Sequence, residues 1–146
     1  MADALAAQGA GIVLAGGPGD RDAFAVMRSN LRAPVVADLS PLPIDALAAS
    51  LARAQLLIAC DSGPVHLAAA VGTPVLALFG PTSTVRWAPP PPGRALSLGL
   101  TCAPCSNHGG DFCPRGHHRC LADLGPDAVI EAARAMLGRR EAAGVR

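Results

Sequence analysis

The sequence of 146 residues contains no lysine: its twelve basic side chains are all arginines, and eleven acidic side chains reduce the net charge to +1 at pH 7. No basic run is longer than Arg139-Arg140. Proteins that bind nucleic acid through its phosphates present a basic patch or stripe. The charge pattern therefore argues against nucleic acid as a partner. The arginines and the abundant alanine indicate a GC-rich genome more than a function.

Long apolar runs are also missing, since no stretch reaches the roughly 18 residues of a membrane-spanning helix. Even so, 51% of the residues are hydrophobic and only 16% are charged. That balance is typical of α/β domains whose strands are covered on both faces. The start, Met1-Ala2-Asp3, lacks the basic residues of a signal peptide, so we expect a cytoplasmic protein. The length fits one domain, residues 1–146.

Residues 56–80 carry the clearest structural pattern in the chain. The apolar run from Leu56 to Cys60 predicts a buried strand. Pro64 suits the first turn of a helix, which Gly72 then ends. A second apolar run, from Val75 to Phe79, predicts another strand. The stretch therefore predicts a βαβ unit, whose polar residues lie at the carboxyl end of the first strand, where open α/β sheets bind ligands.

The turn Asp61-Ser62-Gly63 has the chemistry of an anion site. A helix that starts near Pro64 leaves free N–H groups at this turn, and the helix dipole favours negative charge there. Gly63 allows a close approach to the backbone, and His66 lies in the first helical turn. An ordinary N-cap and a histidine that packs in the core are the alternative interpretations, and the spacing alone leaves them open.

The remaining elements predict a three-layer α/β domain with a mostly parallel sheet of at least four strands. The helix from Asp20 to Leu31 has Ala23, Phe24 and Met27 on one side and Arg21 and Arg28 on the other. The segments are a core of residues 1–100, a Cys-rich loop of residues 101–122 and a C-terminal helix of residues 126–140.

The spacing Cys102-x2-Cys105-x7-Cys113-x6-Cys120 is sufficient for a structural zinc site with four thiolate ligands, with an iron–sulfur cluster as the alternative metal group. One of His108, His117 and His118 could replace a ligand. A loop of this length with few apolar residues needs an additional stabilising link, such as a bound metal, to be ordered. Free thiols are the alternative, because disulfides are rare in a reducing compartment. We expect Cys60, inside a strand, to be buried.

The segment DSGPVHLAAAVGTPVLALFGPTS resembles the signature of the bacterial lipopolysaccharide heptosyltransferases, glycosyltransferase family 9. The similarity continues through Arg86-Trp87 and CAPCSNHGGDFCPRGHHRCL, and it covers the chain from about Ala4 to Leu137. The resemblance implies two Rossmann-like domains with the active site between them, the GT-B arrangement. This chain is similar to the C-terminal, donor-binding domain only.

The resemblance implies that the donor is ADP-heptose or a similar nucleotide sugar. The donor-binding residues that it implies are Asp61, Ser62, Gly63, His66, Asp20, Leu39 and Thr82.

Three of these positions also have ordinary structural interpretations. The family usually has a glutamate on the ribose where this chain has Asp20, which could equally begin a helix. Leu39 could pad an adenine ring or pack in the core. Thr82 could contact the donor or belong to a plain turn.

The resemblance also implies an inverting transfer that needs no essential metal or cofactor, so that any zinc is structural. The acceptor is the lipopolysaccharide core at the inner membrane surface, and the catalytic base belongs to a separate N-terminal domain. We therefore expect no catalytic residue in this chain. In the family, a strand with phosphate-binding hydroxyl and lysine residues precedes the first helix, and this chain lacks it. The alternatives are a non-catalytic nucleotide-sugar-binding module and a metal-stapled structural domain.

Overall fold

The structure of the chain, a computed structural model, describes residues 1–40, 42–110 and 112–142. The chain folds into two compact units, Met1–Ser50 and Leu51–Arg146. The division falls at residue 50, near the end of a helix. Each unit is described by itself.

The first unit contains a pair of parallel strands, β1 (Ile12–Leu14) and β2 (Val35–Asp38). A helix lies between them in the sequence, as parallel neighbours need a crossover connection. The helices are α1 (Ala2–Ala6), α2 (Arg21–Asn30), which follows a 3-10 turn at Pro18–Asp20, and α3 (Ile44–Leu51).

Asp3 of α1 fastens the turn that precedes β2. Its Oδ1 accepts hydrogen bonds from the backbone N–H groups of Arg32 (2.9 Å) and Ala33 (2.8 Å). The bond from Ala33 is the main reason that the pKa of this carboxyl lies below its ordinary value. The carboxylate thus links two segments that are far apart in the sequence.

The apolar side of α2 is only partly covered. No residue of α2 is buried, and Met27 is 42% exposed. The strands are also open, with Val13 46% and Val36 69% exposed. Two short strands offer too little surface to cover a ten-residue helix. The first unit consequently displays an apolar surface.

The second unit is organised on three parallel strands in the order β3-β4-β5: β3 (Leu57–Cys60), β4 (Val75–Leu78) and β5 (Arg94–Leu96). Leu57 pairs with Val75 and Cys60 with Leu78, so the two strands run in register. The helices are α4 (Gly63–Ala70), α5 (Thr84–Trp87), α6 (Arg119–Ala122) and α7 (Pro126–Ala142). The βαβ unit predicted for residues 56–80 is confirmed.

The core of the second unit lies on β4, the central strand. Val75, Leu76 and Phe79 are fully buried, as are Val65 of α4 and Ala133 of α7. A strand with a neighbour on each side can be apolar throughout, because both faces are covered. The predicted helix of residues 126–140 corresponds to α7.

None of the helices in the described part of the chain is long and apolar enough to span a bilayer.

Two sequence-based predictions about the strands are wrong. Cys60 was expected to be buried, but it is exposed, because β3 lies at the edge of its sheet and Cys60 is the last residue of the strand. A single sheet of at least four strands was also expected, whereas the strands form one pair and one group of three. The parallel direction of every pair agrees with the prediction.

Candidate functional site

The amino end of α4 follows directly from the carboxyl end of β3. Ser62 occupies the N-cap position in an extended conformation, but its hydroxyl donates to the carbonyl of Cys60 (2.8 Å) and does not cap the helix. No side chain caps α4 in the described residues. Pro64 has no N–H, and the N–H of Val65 donates to the carbonyl of Ser62 (3.0 Å), so the backbone donors that this end can offer to an anion are the N–H groups of Ser62 and Gly63.

Gly63 adds open space to this helix end. A Cβ atom built on Gly63 would meet no heavy atom within 4 Å. Gly63 is therefore not required by close packing with other residues of the chain, and its backbone is not left-handed. The free volume above the backbone is what a phosphate group would need to reach the N–H groups.

His66 lies one helical turn further on and is half-exposed, with 50% of its side chain accessible. Its Nε2 is 3.7 Å from Oδ1 of Asp61, whose side chain is only 13% exposed. This separation is within ion-pair range but longer than a hydrogen bond. The imidazole belongs to the first turns of α4 and lies within ion-pair range of an acidic side chain, and it can donate to an anion at this helix end when it is charged.

Thr82 belongs to the turn after β4 and is nearly buried, at 7% exposure. Because β3 and β4 are parallel neighbours, the turns that follow them lie at the same edge of the sheet. Thr82 is therefore at the same edge as Asp61, Ser62 and Gly63. Its contact with a donor stays a prediction.

Asp20 and Leu39 lie in the first unit, at the carboxyl ends of its two strands. The carboxylate of Asp20 accepts a hydrogen bond from the N–H of Gly17 (2.7 Å), so it closes its own turn. This contact favours the helix-start interpretation of Asp20. Leu39 is half-buried, and its N–H donates to the carbonyl of Leu14 (2.8 Å). The proposed ribose and adenine contacts of these two residues stay predictions.

The first unit contains a cavity of about 360 Å³ that the sequence patterns above do not indicate. Its wall contains an ion pair between Arg28 and Asp38, and Ser40 donates to the same carboxylate through its hydroxyl and its N–H. The bonds from Ser40 are the main reason that the pKa of Asp38 is lowered. The sequence signal that could have indicated this cavity is a pair of arginines seven residues apart in α2, together with the polar residues that follow β2. The lining residues are Gly17, Pro18, Arg21, Phe24, Ala25, Arg28, Asp38 and Ser40.

The five cysteines are free thiols in this structure. In the described residues, no three Cys, His, Asp or Glu side chains are grouped so that they could hold a metal ion. Sγ of Cys102 lies 4.0 Å from Nε2 of His117, and Sγ of Cys120 lies 3.9 Å from the carbonyl of His118. The thiols in this arrangement do not fit the predicted tetrathiolate. The zinc content of the protein stays a prediction.

Backbone hydrogen bonds hold the Cys-rich loop in place, a role for which the sequence suggested a bound metal. The carbonyl of Pro81 accepts the N–H groups of both Cys105 (2.8 Å) and Ser106 (3.0 Å). At the other end of the loop, Leu121 packs so closely on Gly80 that a Cβ atom there would lie 2.5 Å from Cγ of Leu121. The loop is thereby held against the turn that contains Thr82.

Cys113 is the most acidic thiol whose shift is resolved, with a pKa lowered to about 7. The main cause is the N–H of His118, and the N–H groups of Arg115 and His117 act in the same direction. In contrast, desolvation of the sulfur and the charge of Asp61 raise the pKa of Cys60. A folded-state value below the ordinary 9.0 means that Cys113 contributes stability above pH 9, which is lost as the pH falls through about 7.

Alkylation with iodoacetamide is expected to distinguish free thiols from a zinc site. If the thiols are free, Cys113 reaches half of its maximal rate near pH 7, while the rate at Cys60 is still rising at pH 9. Peptide mass spectrometry measures both rates in one sample. If zinc is bound, Cys113 is protected until a chelator is added, and elemental analysis finds about one zinc per chain.

The comparisons with known proteins agree on one family. The family model of glycosyltransferase family 9 (heptosyltransferase) matches residues 1–111. The chain is 38% identical over 96 residues to lipooligosaccharide heptosyltransferase 2 of Campylobacter jejuni, covering 64% of this chain and 29% of that protein. It is 41% identical over 91 residues to lipopolysaccharide heptosyltransferase 3 of Escherichia coli, covering 60% of this chain and 26% of that protein. The chain thus spans less than a third of the length of these relatives.

A solved structure is similar over nearly the whole chain. The crystal structure of the glycosyl transferase family 9 from Veillonella parvula DSM 2008 matches with a TM-score of 0.76 at 25% identity, over 94% of this chain and 39% of that one. This likeness confirms the predicted α/β fold class with its mostly parallel strands. The matched residues of the family model include the whole βαβ unit with the open amino end of α4. The chain therefore belongs to glycosyltransferase family 9, the heptosyltransferase family.

Proposed function

We propose that the chain binds a nucleotide sugar, ADP-heptose or a close relative, for a glycosyl transfer that builds the inner core of lipopolysaccharide. The observation that carries this proposal is the uncapped amino end of α4 with His66 beside it. A diphosphate is the group that such an end suits, because it accepts several N–H bonds and carries negative charge. The names of the similar proteins support the choice of sugar and product.

The proposed contribution of this chain to the reaction is electrostatic. As the bond between the sugar and the diphosphate breaks, negative charge develops on the leaving oxygen. The N–H groups at Ser62–Gly63, the helix dipole and a charged His66 stabilise that charge. The acceptor hydroxyl attacks the opposite face of the sugar and inverts its configuration. Its proton passes to a base outside this chain, and no metal or cofactor takes part in the proposed step.

The same proposal includes two partners and a location. The acceptor is the lipopolysaccharide core, and an acceptor-binding N-terminal domain, supplied separately, provides the base. The transfer takes place on the cytoplasmic side of the inner membrane, where the chain is peripheral.

We expect the chain alone to bind ADP and to transfer no sugar. Transfer needs a base within hydrogen-bond reach of the acceptor, and positioning both substrates supplies much of the rate. The assay uses ADP-heptose and a lipid A–Kdo acceptor, with and without a separately produced N-terminal half. Turnover only on mixing supports the proposal, and turnover by the chain alone contradicts it. ADP binding without turnover in either mixture favours the non-catalytic module.

Gly63→Ala is a sharp test of the binding half of this proposal. The added methyl group meets open space in the protein, so the melting temperature should hardly change. It occupies the volume that the proposal assigns to a phosphate, so ADP affinity should fall. Calorimetry measures the affinity, and Gly125→Ala, which also points into open space, is the matched control.

A further inference from the structure

Three neighbouring rings connect the Cys-rich loop with α4 and α5. The indole of Trp87 is the centre of the group, and its Nε1–H donates to the carbonyl of Asn107 (3.1 Å). The ring of His66 approaches it edge-on, with 5.9 Å between centroids. The ring of His108 lies 6.3 Å away on the same indole. We call His66, Arg86, Trp87 and His108 the Trp87 cluster.

The local fold of the loop aims His108 at this cluster. The hydroxyl of Ser106 donates to the carbonyl of Gly109 (2.7 Å), and the N–H of His108 donates to the same hydroxyl (3.3 Å). Gly109 and Gly110 have φ values of +77° and +122°, which allow the chain to turn sharply after His108. Together with the bonds to the Pro81 carbonyl, these contacts give His108 a defined place beside Trp87.

The charges of the Trp87 cluster favour a negatively charged ligand. His66 and His108 can each carry a positive charge, and the guanidinium of Arg86 lies 4.9 Å from the centroid of the Trp87 ring. The acidic side chain that meets the cluster is Asp61, through His66. His66 stands at the open amino end of α4, so the cluster extends the positive character of that end toward the Cys-rich loop.

We propose that His108 is a second imidazole contact for the phosphate groups of a ligand at the amino end of α4, and that Trp87 is the residue that positions it. The inference rests on the proposed function, because it assumes a diphosphate at that helix end. It goes beyond that function by giving the Cys-rich loop a part in the binding site. Trp87 acts through His108: its indole N–H fixes Asn107, the residue that precedes the histidine.

Inorganic pyrophosphate is the probe, and calorimetry together with NMR of the histidine side chains is the measurement. We expect the ring signals of His66 and His108 to move together on titration. His108→Ala should weaken pyrophosphate binding about tenfold, the usual size for one hydrogen bond to a charged group. His117→Ala is the control, since that exposed ring contacts Cys102 and the N–H of Arg119 instead.

A double-mutant cycle tests the positioning role of Trp87. Trp87→Phe keeps a ring but removes the N–H, so it should weaken pyrophosphate binding nearly as much as His108→Ala. The double variant should bind no more weakly than either single variant, because both changes remove the same contact. Losses that multiply in the double variant would show that Trp87 acts independently of His108, and would overturn this assignment.

The remaining outcomes separate the inference from the proposed function. Movement of the His66 signal alone, with unchanged affinity in His108→Ala, overturns the inference and leaves the phosphate site at α4 standing. Absence of any response at His66 overturns both. Circular dichroism melts of each variant check that the fold is retained, which matters most for Trp87→Phe because Trp87 is half-buried and lies on α5.

Discussion

ADP is expected to bind to the His66→Ala variant at least tenfold more weakly than to the unaltered chain. The imidazole is half-exposed at an uncapped helix end, so its removal takes away a donor to the phosphate without opening a cavity. A charge-assisted hydrogen bond of this kind contributes about 1.5–3 kcal/mol to binding. Isothermal calorimetry at one fixed ionic strength measures the change, because surface electrostatics depend on salt.

His117→Ala again provides a matched control, because it removes another exposed histidine of the same unit. Its ADP affinity should equal that of the unaltered chain. Equal affinities in all three proteins would remove His66 from the phosphate site. Equal weakening in both variants would point to a general loss of positive charge, and the specific contact of His66 would then be wrong.

Phe79→Ala is expected to lower the free energy of unfolding by about 3–5 kcal/mol, the usual cost of removing a buried phenyl ring. Phe79 is fully buried and is the largest such side chain in the described residues. Its N–H donates to the carbonyl of Leu96 (2.8 Å), which continues the pairing of β4 with β5. The ring thus fills the core just before the turn that anchors the Cys-rich loop.

Phe112→Ala makes the same chemical change on the surface, since that ring is 82% exposed. We expect it to change the free energy of unfolding by less than about 0.5 kcal/mol. Urea titrations of the two variants, compared by their midpoints and slopes, provide the measurement. A loss below about 1 kcal/mol in Phe79→Ala would mean that the core around β4 collapses into the space, or that the ring is not central to it.

The βαβ unit of residues 56–80 could be predicted because its signals are local. Pro64 and Gly72 mark the ends of a helix by their own backbone preferences, and two apolar runs flank it. The open amino end of α4 follows from the same signals. The direction of the Ser62 hydroxyl, which leaves that end uncapped, does not, because serine at an N-cap position usually does the opposite.

Features that depend on distant partners could not be predicted. The exposure of Cys60 follows from the position of β3 at a sheet edge, and an apolar run alone does not distinguish an edge strand from a central one. Similarly, the apolar spacing in α2 predicts a buried face only if something covers it. The order of the Cys-rich loop comes from the Pro81 carbonyl and the Trp87 indole, contacts that no spacing of cysteines reveals.

The single carbonyl of Pro81 that receives two amides has a consequence for the motion of the loop. Because Cys105 and Ser106 share this acceptor, the loop cannot release one amide by moving away from the turn and still hold the other. Detachment is therefore cooperative, and the two amide protons should exchange with solvent through the same opening event. The free energy of that opening, read from their common protection, is the free energy needed to detach this part of the loop from the turn after β4.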